Sequence, residues 1–81
     1  MDIRARVREF ICSNYYLPRG ATIDDSASLL DAGIIDSTGV LELIVFLEEV
    51  FGIQVQDQDL VPENLDRVDA IVSYLGRKLG V

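Results

Sequence analysis

The residue types in this chain that could do chemistry converge on one short run, Asp36–Ser37–Thr38, within AGIIDSTGVLELIVFLEEVFG. There is no histidine, which removes imidazole general bases, Ser-His-Asp triads and imidazole metal ligands. A nucleophile elbow needs glycine two residues before and two after its serine; Gly39 is in place but position 35 is Ile. No base flanks Ser37, so a serine acting as its own nucleophile is not expected. The acidic stretches DDSASLLDAGIID and DQDLVPENLD lack the alternating ligands around a central glycine of an EF-hand loop, and no metal site is expected.

Two roles remain for Ser37. Either it or Asp36 before it can cap the helix that follows, by accepting from a free backbone N–H. The reciprocal capping-box acid is missing, since Gly39 and Val40 stand three residues on from Asp36 and Ser37. Alternatively the hydroxyl is an attachment point. A phosphate ester there would lie at the positive end of a helix dipole, and a separate enzyme would make it, so no activated serine is needed.

Those roles require a helix after Asp36 and an ordered segment before it. The apolar run after Asp36 places Leu43, Leu47 and Phe51 on one face with Val40 and Ile44 beside them, and Gly52 is a natural stop. Leu41, Val45, Phe46 and Val50 add apolar groups beyond that stripe, so the helix is centrally buried or meets something besides its own core. Upstream, Ile3, Val7, Phe10 and Ile11 predict a helix over 2–16, ended by the PRG at 18–20. GIQVQDQDLV alternates briefly but has no second strand to pair with, and reads as a connector into a short helical turn over 57–61. The last helix is expected to start at Asn64 as N-cap, with Val68, Ile71, Val72, Leu75 and Leu79 inward and Arg77 and Lys78 favourably placed in its last turn. The fold class is all-α: a bundle of three longer helices and one short third helix, in a single domain over 1–81. The long stretch between the first two helices carries Ile23, Leu29, Leu30, Ile34 and Ile35, and is expected to pack on the bundle rather than dangle.

Size and charge narrow the function. A chain of 81 residues has one modest core and little room for an enclosed catalytic pocket. Cys12 is alone, which excludes an intrachain disulfide and is read as a small core residue. The N-terminal MDIRARVREF is charged from the outset, and no apolar run approaches the roughly 20 residues of a membrane span. A cytoplasmic protein is expected. The net charge is −7, and between Ala21 and Asp66 there are eleven acids and no base. Such a surface repels nucleic acid and anionic membrane and attracts basic protein partners.

DDSASLLDAGIIDSTGVLELIVFLEEVFGI resembles the core of the acyl and peptidyl carrier proteins, with their Gly-hydrophobic-x-Asp-Ser stretch opening the second helix. The likeness continues through VPENLDRVDAIVSYL and, more loosely, FICSNYYL. The resemblance implies a carrier, not an enzyme, whose Ser37 receives 4′-phosphopantetheine from coenzyme A through a phosphopantetheinyl transferase, with Asp36 as the motif acid. It further implies cargo held as a thioester and passed from a loading ligase to downstream acyl-processing enzymes. Thr38, Leu41 and Val45 match exposed docking positions, Glu42, Glu48 and Glu49 match acids that meet basic patches, and Leu43, Leu47, Phe51 and Val55 match core positions. Gly39 and Val50 stand where carriers of fatty-acid synthesis commonly have acids, which points to a specialised or secondary-metabolite pathway. An aminoacyl cargo loaded by an adenylating ligase is the alternative, and an unmodified acidic helical adaptor is the reading from another class. A monomer is expected.

Overall fold

A computed structural model describes residues 2–15, 17 and 23–80. Along the chain run α1 (Ile3–Asn14), α2 (Gly39–Phe51), a 3₁₀ turn (Asp57–Asp59), α3 (Pro62–Leu65) and α4 (Val68–Leu79). The regular structure of the described residues is all helical, as the periodicities predict, but the short turn expected over 57–61 is the 3₁₀ turn, and α3 is a separate short helix that the sequence pattern does not set apart from the last one.

In α1 the Asp2 carboxylate accepts from the Ala5 amide at 3.1 Å and caps the first turn. Val7 and Ile11, one turn apart, are fully buried, with Ile3 and Phe10 packed at their flanks. The helix is shorter than the expected 2–16. It ends at Asn14, and Tyr15 turns extended at φ −121°, ψ 150° because its ring and hydroxyl are engaged against α2. Tyr16 and the PRG at 18–20 lie outside the described residues. Cys12 is exposed, contrary to its expected place in the core. It follows the buried Ile11, and one step along a helix rotates a side chain by about 100°, enough to carry it off the packed face.

α2 buries Leu43 and Leu47 fully and closes at Gly52, whose amide bonds the Glu48 carbonyl at 3.0 Å. Part of its apolar surplus is internal. Phe46 stacks on Phe10 of α1, centroids 4.0 Å apart and planes 9° from parallel, and meets Phe51 edge-on.

The segment before α2 is packed down as expected, with Ile23, Leu29 and Ile35 in the core, although Leu30 is exposed. Polar anchors hold it in place. Asp25 accepts from Arg4 at 2.7 Å and from Arg8, Arg8 also donates to the Ile23 carbonyl, and the Asp25 carbonyl accepts from the first-turn amide of Asp69 in α4. Further along, the Leu29 amide donates to the Asp66 carbonyl at 2.7 Å, while the Asp66 carboxylate takes the Ser28 hydroxyl and the Leu30 amide.

These bonds explain a departure from expectation. The last helix does not begin at Asn64. Pro62 opens α3, Asn64 lies inside it, and the chain breaks at Asp66 and Arg67 before α4 starts at Val68. Asp66 is committed to the segment at both its carbonyl and its carboxylate, and Arg67 is extended at φ −137°, ψ 150°. Asn64 serves as a brace instead, donating to the Asp59 carbonyl and accepting from Arg77.

α4 buries Val68, Ile71 and Leu75 as the stripe predicts, leaves Leu79 largely at the surface, and adds Tyr74, which the stripe omits. The Tyr74 hydroxyl donates to Asp59 at 2.8 Å. The Gln56 amide and that hydroxyl hold the Asp59 carboxyl below its ordinary range. Burial first, and then its bond to Asp59, push the Tyr74 phenol up to about 12 from an ordinary 10.0.

A phenol whose pKa is raised on folding binds its proton more tightly in the native state. Its stabilisation is therefore complete below the unfolded value and lost as pH rises through the folded one. Denaturation across alkaline pH should show stability falling from about pH 10 towards 12, with a shallower fall in Tyr74→Phe.

Candidate functional site

The approach to Ser37 is a compact turn. The amides of Ile34 and Ile35 both donate to the Leu29 carbonyl, at 3.0 and 3.3 Å, and Gly33 sits at φ +73°, where a side chain would be strained. Ile35 is then driven into the core, 3% exposed, so that the residues after it emerge at the surface.

Asp36 is the cap. Its Oδ1 accepts from the Gly39 amide at 2.6 Å and its carbonyl from the Val40 amide at 3.1 Å. This places Ser37 and Thr38 in the first turn, and Thr38, although directly before Gly39, makes no capping bond with its side chain. Of the two candidates for the cap the structure selects Asp36, which also sets a carboxylate at the positive end of α2. Ser37 is exposed, and its hydroxyl has no hydrogen-bond partner among the described residues.

Gly39 is a poor helix former, costing roughly 0.5–1 kcal/mol against alanine. The reason for it is steric. A Cβ there would lie 2.9 Å from Cε1 of Tyr15 and 3.3 Å from the Asp36 carboxylate. The Tyr15 hydroxyl donates to the Gly39 carbonyl at 2.5 Å. Burial, and then the charges of Glu42 and Asp36, raise the Tyr15 phenol to about 12.

Beside Ser37 opens an apolar hollow of about 270 Å³, walled chiefly by Leu30, Val40, Leu60, Val61 and Leu65. It brings together the segment, the start of α2, and the 3₁₀ turn with α3. Neither this hollow nor the Tyr15 contact was anticipated. The apolar pair Leu60–Val61 ahead of Pro62 is a signal for the hollow, whereas nothing local links Tyr15 to a partner 24 positions away.

Of the residues matched to docking positions, Thr38 is exposed directly before α2, and Leu41, Glu42, Val45 and Glu49 are exposed on it. Glu48 stands apart. It is half-buried, and its Oε2 accepts from the Val55 amide at 3.0 Å, tying down the chain after α2. Val55 and Phe51 are partly buried against the core.

A small helical bundle that presents an exposed hydroxyl at a capped helix start, beside an apolar hollow, has the layout of a carrier module. Residues 5–75 match the family described as the phosphopantetheine attachment site. The chain is 38% identical over 79 residues to the acyl carrier protein of Thermotoga maritima, covering 98% of this chain and 94% of that one. It is 28% identical over 80 residues to the acyl carrier protein of Solidesulfovibrio magneticus, covering 99% of each. The chain belongs to this phosphopantetheine-attachment family, and its function is that of an acyl carrier rather than a catalyst. The cofactor is covalently attached 4′-phosphopantetheine, and the partners in general are a phosphopantetheinyl transferase and acyl-processing enzymes. The site fits such a group, since the exposed Ser37 hydroxyl at a helix start can accept a phosphodiester without breaking a hydrogen bond among the described residues.

Removing the cap tests the assignment of Asp36. Asp36→Ala should cost about 0.5–2 kcal/mol in denaturant unfolding, and Asp36→Asn, which still accepts from the Gly39 amide, should recover most of the loss.

Proposed function

We infer that Ser37 is the residue that takes the 4′-phosphopantetheine arm, and that the chain shuttles acyl cargo between enzymes of a specialised pathway. The observation that carries this is a division of labour: Asp36 caps α2, and the Ser37 hydroxyl beside it is left exposed and unbonded among the described residues. In the transfer, the Ser37 oxygen forms a bond to the phosphorus on the pantetheine side of coenzyme A. The pyrophosphate bridge breaks, the adenosine bisphosphate half departs, and the hydroxyl proton passes to a base of the transferase. The attached arm supplies a terminal thiol that holds cargo as a thioester.

Thr38, Leu41, Glu42, Val45 and Glu49 form the docking face in this reading. Its support is exposure: Leu41 is 63% and Val45 50% exposed, with Val50, Glu42 and Glu49 beside them, whereas Val40, Ile44, Phe46 and Phe51 of the same helix pack on the core. Glu48 is assigned to the bond with Val55 instead. Carboxylates flanking an apolar strip suit weak, steered association with basic partners that must also let go. The specialised pathway is supported by Gly39, where the Tyr15 ring leaves no room for a side chain, and by Val50, since both positions reduce the acidity of α2. The apolar lining of the hollow favours an acyl over an aminoacyl cargo lying against it. A cytoplasmic monomer completes the proposal; among the described residues no helix is long and apolar enough to cross a membrane.

Incubation with coenzyme A and a broad-specificity transferase should add the mass of one phosphopantetheine to the intact chain and nothing to Ser37→Ala. A gain that persists in that variant, or none in the natural chain, rules out the site. Loading of the modified chain should slow as added salt shortens the screening length from roughly 8 Å. Salt-independent loading that is lost in Leu41→Ser would assign docking to the apolar strip alone.

A further inference from the structure

We propose that Tyr15 is a positioning residue for Ser37, holding the first turn of α2 in register from the far end of α1. The proposal rests on Ser37 being the attachment residue. Tyr15 is the first residue past α1, and its extended backbone directs the side chain across to α2. There the ring is half-buried and meets Phe10 edge-on, with centroids 5.7 Å apart.

Two tethers converge on Gly39, two residues beyond the serine. Its amide is taken by Asp36 at 2.6 Å and its carbonyl by the Tyr15 hydroxyl at 2.5 Å. The peptide units on either side of Gly39 are therefore both pinned, one from within the turn and one from another helix. Gly39 has negative φ, so glycine is not required there by backbone conformation; the approach of the Tyr15 ring is what excludes a Cβ. A glycine in the opening turn favours fraying, and Ser37 lies in the turn that would fray. The phenol stays protonated far above neutral pH, so the donor is always present.

A transferase must meet the Ser37 oxygen in one orientation. If the turn is ordered beforehand, that ordering is not charged against binding. Tyr15→Phe keeps the ring, its packing on Phe10 and the exclusion at Gly39, and deletes only the bond to the carbonyl. The expected result is a rise in the transferase KM for this chain of about 2- to 10-fold, the equivalent of one neutral hydrogen bond, with kcat unchanged. Amide hydrogen exchange should quicken at residues 37–40 and stay unchanged at Ile71 and Leu75 in α4.

Gly39→Ala gives an independent test, because helix propensity and the ring contact predict opposite signs. Alanine should speed exchange at 37–40 in the natural background and slow it in Tyr15→Ala, where the ring is gone. Unchanged exchange and KM in Tyr15→Phe overturn the proposal. So does acceleration spread evenly over α4, or slower exchange in Gly39→Ala alone. If the natural chain gains no phosphopantetheine mass, it is the attachment reading that fails, and the exchange experiments still decide the tether.

Discussion

The hold of Asp66 on the segment before α2 is the constraint on which the rest of this structure depends. Residues 23–38 contain no helix, so the polar groups that their own turns leave unpaired need partners from elsewhere, and Asp66 supplies a carbonyl for the Leu29 amide and a carboxylate for the Ser28 hydroxyl and the Leu30 amide. That grip fixes the turn from Leu29 to Ile35, buries Ile35, and so determines where Asp36 and Ser37 emerge. It also breaks the chain between α3 and α4, because a residue committed in this way cannot continue a helix. Asp25, bonded to Arg4 and Arg8 and joined to α4 through the Asp69 amide, performs the same service nearer α1.

What the site requires of these anchors is modest chemically and strict geometrically. The bundle performs no catalysis; among the described residues it leaves the Ser37 hydroxyl free of competing bonds at a fixed place on its surface. Capping by Asp36 rather than Ser37 achieves the first condition. The anchored turn and the contact between Tyr15 and Gly39 serve the second. The same first turn borders the apolar hollow, so the serine and the hollow lie at one end of α2, and the exposed strip of Leu41 and Val45 runs from there to the middle of the helix.

Much of this was legible in the chain. The stripe of Leu43 and Leu47, the end of α2 at Gly52, the Val7–Ile11 face of α1 and the inward face of α4 follow from periodicity, because burying one face of a helix is a local pattern with a period of 3.6 residues. The exposure of Leu41 and Val45 was legible as a surplus. Phe46 belonged to the same surplus, yet it is packed on Phe10, and only the meeting of the two helices separates it from the other two. Cys12 was misplaced because an average preference for burial says nothing about a residue's angle around its helix. Asn64 was misread as a cap because its local type fits one; the bond network of Asp66 moved the helix start.

The sequence by itself determined an all-helical chain with Ser37 at the opening of its second helix, since periodicity and the Asp36–Ser37 run are properties of neighbouring residues, and its resemblance to carrier proteins implied the carrier role. Only the tertiary structure decided that Asp36 and not Ser37 does the capping, that Glu48 is turned to bracing Val55, and that Tyr15 stands against Gly39. Each of these depends on which of several nearby or distant partners a polar group meets, and that choice is made when the helices pack.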